Sequence, residues 1–417
     1  MNLYAETENR KNPVSLRLIG LYAFLICPFI IAYPNTDLSY WVTRFLQAVC
    51  VVIWCILQHT NGLRFIRENR YFRLTIHVWW IFLIVNTFYQ VPTFQLTQIY
   101  YWIAIWNFML MAEIYWRRDF IRHLYHIGIL FSILIYLNTF LYILFPHGLW
   151  FDTEWIGYGE KNRYLFGNYN QTGLIGLVSL LTWGTYTIFS GRGYTNMYLL
   201  IINVLAVVVA MGSKTSSVGI LLVAGFYMMR RFIKHPFRWI FLFALLYILF
   251  FVVIVWQGQD LQDWPLLSDF VVNVLHKDTS FSSRIYLWMN SVKLILESPI
   301  IGYGARSTDW MIENVHGSGP HNLWLMMLLE GGLVSCILMI GIFLKLFTLS
   351  KQCNNIIGAY LAVCLSVLLL MSLFETYYII CLFFIIVIAY YILKMQITQK
   401  EASEPVDPPE PTEVKES

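Results

Sequence analysis

The sequence predicts an all-α polytopic membrane protein of about twelve transmembrane helices, with one large outward-facing loop between the ninth and tenth. Three observations lead there. Of the 417 residues, 58% are hydrophobic and only 12% charged, whereas a soluble chain carries roughly a quarter charged residues. The apolar runs are continuous over the roughly 20 residues that a helix needs to cross about 30 Å of hydrocarbon, unlike the alternating segments of about ten residues in a barrel. The basic residues gather in short clusters between those runs, as topology signals do.

Taken in order, a polar head over 1–15 is expected to be a cytoplasmic tail. The run that follows ends in Cys27-Pro28-Phe29-Ile30-Ile31-Ala32-Tyr33 without a small-residue cleavage site, and reads as a retained span. The first nine spans are predicted at 16–33, 38–58, 74–92, 96–116, 124–145, 170–190, 195–212, 215–229 and 238–256. A break at 211–215 separates the seventh from the eighth. The segment 257–320 is the largest polar block and too long for a bare connection. Within it, 282–297 suits an amphipathic helix with a serine cap, apolar Ile285, Trp288, Val292 and Ile295 at helical spacing, and Pro299 beyond its end. Such a helix would lie on the outer leaflet or on the bundle. Three spans follow within 321–395, at 321–346, 355–373 and 376–395, and the acidic, proline-containing stretch 396–417 reads as a disordered cytoplasmic tail.

Orientation follows from charge. With the N-terminus inside, 20 of the 28 Lys and Arg residues fall on the cytoplasmic side, and the even number of spans returns the C-terminus there too. The protein is therefore expected in the cytoplasmic (inner) membrane with both termini inside. A net charge of +4, dispersed in this way, excludes nucleic acid as a partner. Seven cysteines without a C-x-x-C pair give no reason to expect disulfides, a metal site or a cofactor.

The chemistry is sought among polar groups at the outer ends of apolar spans, where an unpaired charge is costly. Ser213-Lys214-Thr215-Ser216-Ser217 offers a cation, hydroxyls and free amides at a helix start, a combination that suits a phosphate oxygen and equally a serine-capped turn. Arg284 is the second outward cation, able to hold a pyrophosphate by paired hydrogen bonds. Gly302 and Gly304, in Ser298-Pro299-Ile300-Ile301-Gly302-Tyr303-Gly304, allow close backbone approach. His321, followed by Asn322 at the mouth of the tenth span, can accept a hydroxyl proton near neutral pH or simply cap the helix. Glu330, ahead of Gly331-Gly332, would orient a base, bind sugar hydroxyls or pair with Arg44 or Lys214, or else mark a kink. Asn170, opening the sixth span, would supply amide contacts; Glu113 and Glu375 are weaker intramembrane candidates.

In this order, over about 167–346, the motifs resemble the superfamily of O-antigen ligases and Wzy-type polysaccharide polymerases. The specific part runs from 284 to 332, Ser-Arg-x-x-x-Trp through His-Asn-x-Trp-Leu to Leu-Glu-Gly-Gly; the family has arginine where this chain has Lys214. The resemblance implies a membrane glycosyltransferase that needs no metal. Lys214 and Arg284 would contact the pyrophosphate of a polyprenyl-linked oligosaccharide, and His321 would activate the acceptor or bind the donor. Expected partners are that lipid-linked oligosaccharide, membrane lipid, and the chain-length regulator and flippase proteins that accompany such an enzyme. Polymerisation of repeat units into a surface polysaccharide is the leading reading. Transfer of the glycan to lipid A core is the alternative, and a flippase or exporter of lipid-linked sugars is the alternative of another class, disfavoured because transporters place charges near the midplane.

Overall fold

A computed structural model describes residues 14–32, 36–60, 69–91, 97–152, 161–233, 235–256, 284–376 and 379–403. Most of the expected tails, the serine cap before Arg284 and the first part of the large loop lie outside them. Among the described residues there are fourteen α-helices: α1 (Leu16–Ile30), α2 (Asp37–Thr60), α3 (Arg70–Gln90), α4 (Thr97–Met111), α5 (Arg117–Leu144), α6 (Tyr169–Ser190), α7 (Tyr194–Ala210), α8 (Lys214–Met229), α9 (Pro236–Phe250), α10 (Arg284–Glu297), α11 (Thr308–Val315), α12 (Leu323–Cys353), α13 (Ile356–Ser372) and α14 (Ile379–Ser403). A helix stands at every window predicted as a span. Seven stretches are long and apolar enough to cross a membrane, those of α2, α3, α5, α6, α9, α12 and α14, and shorter apolar helices pack among them. The chain is a multi-pass membrane protein.

Local chemistry explains the boundaries. Asn168, Asn322 and Asn355 cap α6, α12 and α13 by accepting from backbone N–H groups of the first turn. Gly191, left-handed at φ 64°, closes α6. Single π segments, Ala112–Trp116 and Phe251–Trp256, carry α4 into α5 and prolong α9. The expectation of an all-α chain omits one element, a hairpin of β1 (Trp150–Asp152) and β2 (Lys161–Arg163) paired antiparallel with Trp150 opposite Arg163. The expected coil from 396 onward also needs correction. α14 continues to Ser403, because Gln399, Lys400, Glu401 and Ala402 are good helix formers, with the first proline only at 405.

α6 runs through the centre, 89% of its span window enclosed by other helices, whereas α9 is peripheral at 12%. At one end of α3, Arg73 and Glu113 form a buried ion pair that also receives the Tyr391 hydroxyl. An ion pair so enclosed holds α3, the π segment and α14 together, and Glu113 thereby has a structural place at the opposite end of α3 from the loop 298–304.

At the other end of α3, the loop 298–304 repairs a break in α12. Gly332 adopts φ 57°, so the turn around it cannot close its own hydrogen bonds. The Leu333 and Val334 N–H groups instead donate to Pro299 O at 2.8 Å and Ile300 O at 3.2 Å. The Leu329 and Glu330 carbonyls accept from Tyr303 N at 2.7 Å and Gly304 N at 2.9 Å. Asn86 adds bonds to Ile301 O and Glu330 O, and Thr87 Oγ1 receives Ala305 N. Irregular backbone inside an apolar bundle is tolerable when it is satisfied in this way. Gly302 is the close approach the sequence suggests: its φ is +65°, and a Cβ there would stand 2.4 Å from Leu329 O. We expect Gly302→Ala to destabilise the protein by about 2–4 kcal/mol, through backbone strain and displacement of α12. A melting curve in detergent superimposable on that of the wild type would contradict this interlock.

Candidate active site

The best-connected polar cluster among the described residues is built at helix ends, around one carboxylate. Glu375 sits between α13 and α14 with its side chain 8% exposed. Its Oε1 faces His321 Nδ1 at 3.0 Å and receives the Thr376 backbone N–H at 3.2 Å. Its Oε2 accepts from the Asn170 amide and lies 3.6 Å from the Arg284 guanidinium. Asn170 Oδ1 in turn accepts from Ser213 Oγ at 2.8 Å. Residues from α6, the α7–α8 connection, α10, the residue before the α12 cap, and the α13–α14 connection thus meet at one end of the bundle.

Two braces fix the histidine against the carboxylate. Asn322, fully buried, caps α12 through its Oδ1 and donates from Nδ2 to Leu373 O at 3.0 Å, tying the His321 and Glu375 segments together. Trp288 Nε1 of α10 donates to Pro320 O at 2.9 Å. His321 itself is held left-handed at φ 46°, a conformation a non-glycine residue keeps only when its surroundings impose it.

The electrostatics favour an ionised carboxylate. Burial pushes the Glu375 carboxyl up, but the His321 hydrogen bond and charge, the Arg284 charge and the Asn170 amide outweigh it and hold the group below its ordinary 4.5. A depressed value means that the associated stabilisation is present above pH 4.5 and is lost as the pH falls through the lower folded value. We therefore expect the difference in thermal midpoint between wild type and Glu375→Gln to be full at neutral pH and to shrink below pH 4.5; a pH-independent difference would contradict the ion-pair origin. In the neutral imidazole, an Nδ1–H donating to the ionised Glu375 would leave the lone pair on Nε2. Nε2 is loosely approached by Ser318 Oγ at 3.5 Å, and the His321 side chain is 29% exposed. Arg284, 3.6 Å from Glu375, keeps donors for another anion.

Residues 198–340 match the family model described as O-antigen ligase. No curated protein matches the chain. The matched segment spans α7 to the first half of α12, so it contains Ser213, Lys214, Arg284, His321 and Asn322, while Asn170 and Glu375 close the cluster from outside it.

Set against the sequence reading, the structure brings Arg284, His321, Asn170 and Ser213 together. Lys214 is exposed in the first turn of α8, one residue from Ser213, with no protein partner among the described residues. Ser213 does not cap α8 with its side chain, which is turned to Asn170 instead. Gly302, Gly304 and Asn322 have architectural contacts. Glu330 pairs with neither Arg44 nor Lys214: it is buried in α12, and Arg44 donates to Gln47 and lies over Tyr40. The carboxylate that meets the histidine is Glu375, whose signal in the sequence is a single acid amid the apolar run 364–376.

Proposed function

We propose that the protein is a glycosyltransferase that polymerises polyprenyl pyrophosphate-linked oligosaccharide repeats into a surface polysaccharide on the outer face of the cytoplasmic membrane. The observation that carries this reading is the Glu375-centred meeting of Arg284 and His321, inside and beside the O-antigen ligase match. Orientation is part of the proposal. The cluster lies at one end of the bundle, and Arg192, Arg230 and Lys351 lie at the opposite ends of α6, α8 and α12; the positive-inside rule then turns the cluster outward and keeps both termini cytoplasmic. All twelve helices that coincide with predicted spans would cross the bilayer.

In this mechanism the donor's pyrophosphate rests against Arg284 and Lys214. Its departure develops negative charge, which fixed cations in a partly dehydrated site stabilise. Lys214 stands at the N-terminal end of α8, where the helix dipole adds a positive partial charge and makes an anion welcome. His321 Nε2 accepts the proton of the attacking sugar hydroxyl, and Glu375 stabilises the imidazolium that forms. The bond from the anomeric carbon to the pyrophosphate oxygen breaks as the bond to the acceptor oxygen forms, and the polyprenyl pyrophosphate leaves with the bonding electrons. Asn170, braced by Ser213, holds Glu375.

Incubating the purified protein in detergent with a lipid-linked oligosaccharide tests this directly. Longer glycans on the same lipid are expected. Transfer only to an added lipid A core would make it a ligase, and movement of the oligosaccharide across a bilayer without elongation would make it a transporter.

A further inference from the structure

Beyond the Glu375 cluster, the outer loop carries a second arrangement with no role in the scheme above. The Arg306 guanidinium lies over the Trp310 ring, 5.2 Å from its centroid. The Tyr303 ring packs against the same indole at 5.4 Å, tilted by 41°. All three are half-buried. Tyr303 commits its hydroxyl to Leu294 O and to Glu297 Oε2, each at 3.1 Å, so that Glu297 is engaged by the tyrosine. Among the described residues no carboxylate pairs with Arg306, and its Nε is buried without a hydrogen-bond partner. A half-buried guanidinium with no carboxylate partner among the described residues can offer its planar fork to a carboxylate.

The surroundings are rigid. Ser307 caps α11. Asn314 bonds back to Trp310 O at 2.9 Å, Asn290 of α10 bonds to Val315 O at 3.3 Å, and the Ala305 N–H is held by Thr87. Position supplies the second argument. Tyr303 docks on the far end of α10, ten to thirteen residues from Arg284, which at about 1.5 Å per residue is about 15–20 Å from the proposed pyrophosphate contact. That is the reach of a glycan extending from the reacting sugar, whereas a pyrophosphate stays at Arg284.

We propose that Arg306, Trp310 and Tyr303 form a glycan subsite that holds an acidic sugar, with the carboxylate on Arg306 and the sugar's apolar face on the aromatic pair. The assignment rests on the glycosyltransferase reading for its ligand and adds a second point of attachment to it. A subsite of this kind retains the growing chain between additions, so it governs product length more than the formation of a single linkage.

The test uses the full-length protein in nanodiscs of phosphatidylcholine and lipid-free fragments of the polysaccharide made by the cell that carries it. The wild type is expected to bind these fragments, with about tenfold weaker binding in Arg306→Gln and in Trp310→Ala, and weakened binding by the wild type once the fragments' carboxyl groups are reduced to alcohols. Arg306→Lys, which keeps the charge and loses the fork, should fall between. Equal binding by wild type and Arg306→Gln, or equal binding of native and reduced fragments, would overturn the proposal. So would a dependence on Arg306 seen only when phosphatidylglycerol is added, which would assign the guanidinium to a lipid headgroup. In the elongation assay, Arg306→Gln should shorten the products while the rate of the first linkage stays within about twofold of wild type. Fragment binding without elongation by the wild type would sink the transferase reading and leave the subsite standing; elongation without fragment binding would do the reverse.

Discussion

Replacing His321 with alanine should abolish chain growth while leaving the folded protein in the membrane. A positioned base contributes about 10²–10⁴-fold to a proton transfer, and His321 is the imidazole that meets the ionised carboxylate of the cluster. The substitution places alanine at a left-handed φ of 46°, a conformation it tolerates no better than histidine, so the fold gains nothing to mask the loss. His321→Gln is the informative companion: it can still reach Glu375 by hydrogen bond but cannot take a proton. If the glutamine variant made polymer at the wild-type rate, with protein levels matched, His321 would be an anchor and the base would have to be sought elsewhere.

The second large effect is expected at Glu375. Glu375→Gln keeps shape and removes charge, so His321 loses the anionic acceptor that favours its tautomer and Arg284 loses the nearby anion that positions it. Misplacement of reacting groups by about 1 Å costs about 10²-fold, and we expect a loss of turnover of that order with the affinity for donor little changed. Glu375→Ala goes further, leaving Asn170, the Thr376 N–H and Arg284 without their shared acceptor, and should destabilise the protein by about 1–3 kcal/mol besides. The comparison separates function from fold: a Gln variant as active as wild type, beside an unstable Ala variant, would make Glu375 a purely structural hub.

These two residues also mark what could be read from the chain. His321, Arg284 and the Ser213-Lys214 start of α8 stand out because they are polar groups at the borders of apolar runs, a signal that periodicity and charge cost make visible. The carboxylate partner is harder to see. Glu330 lies in α12, which begins just after His321, and proximity in sequence makes it the natural choice; yet a side chain two turns into a helix does not reach back to its cap. Glu375 is 54 residues from His321, and only the packing of the α13–α14 connection against the α12 cap, through Asn322 and Leu373, brings it there. The glycines tell a similar story. Gly302 and Gly304 announce close approach, but that Gly302 meets the broken turn at Gly332 and Gly304 meets Thr87 of α3 follows from tertiary packing alone. The helices were legible because long apolar runs have one solution in lipid. The β1–β2 hairpin was not, since its strands of three residues carry no alternating pattern long enough to detect.

In the proposed function a bond is exchanged at a cluster that faces outward, and the most direct measurement counts both products of that exchange. Purified protein in sealed vesicles, given a labelled lipid-linked oligosaccharide, is expected to release one free polyprenyl pyrophosphate for each new glycosidic linkage, on the membrane face that holds His321. Oligosaccharide appearing on the opposite face with its lipid still attached, and no free polyprenyl pyrophosphate, would contradict it.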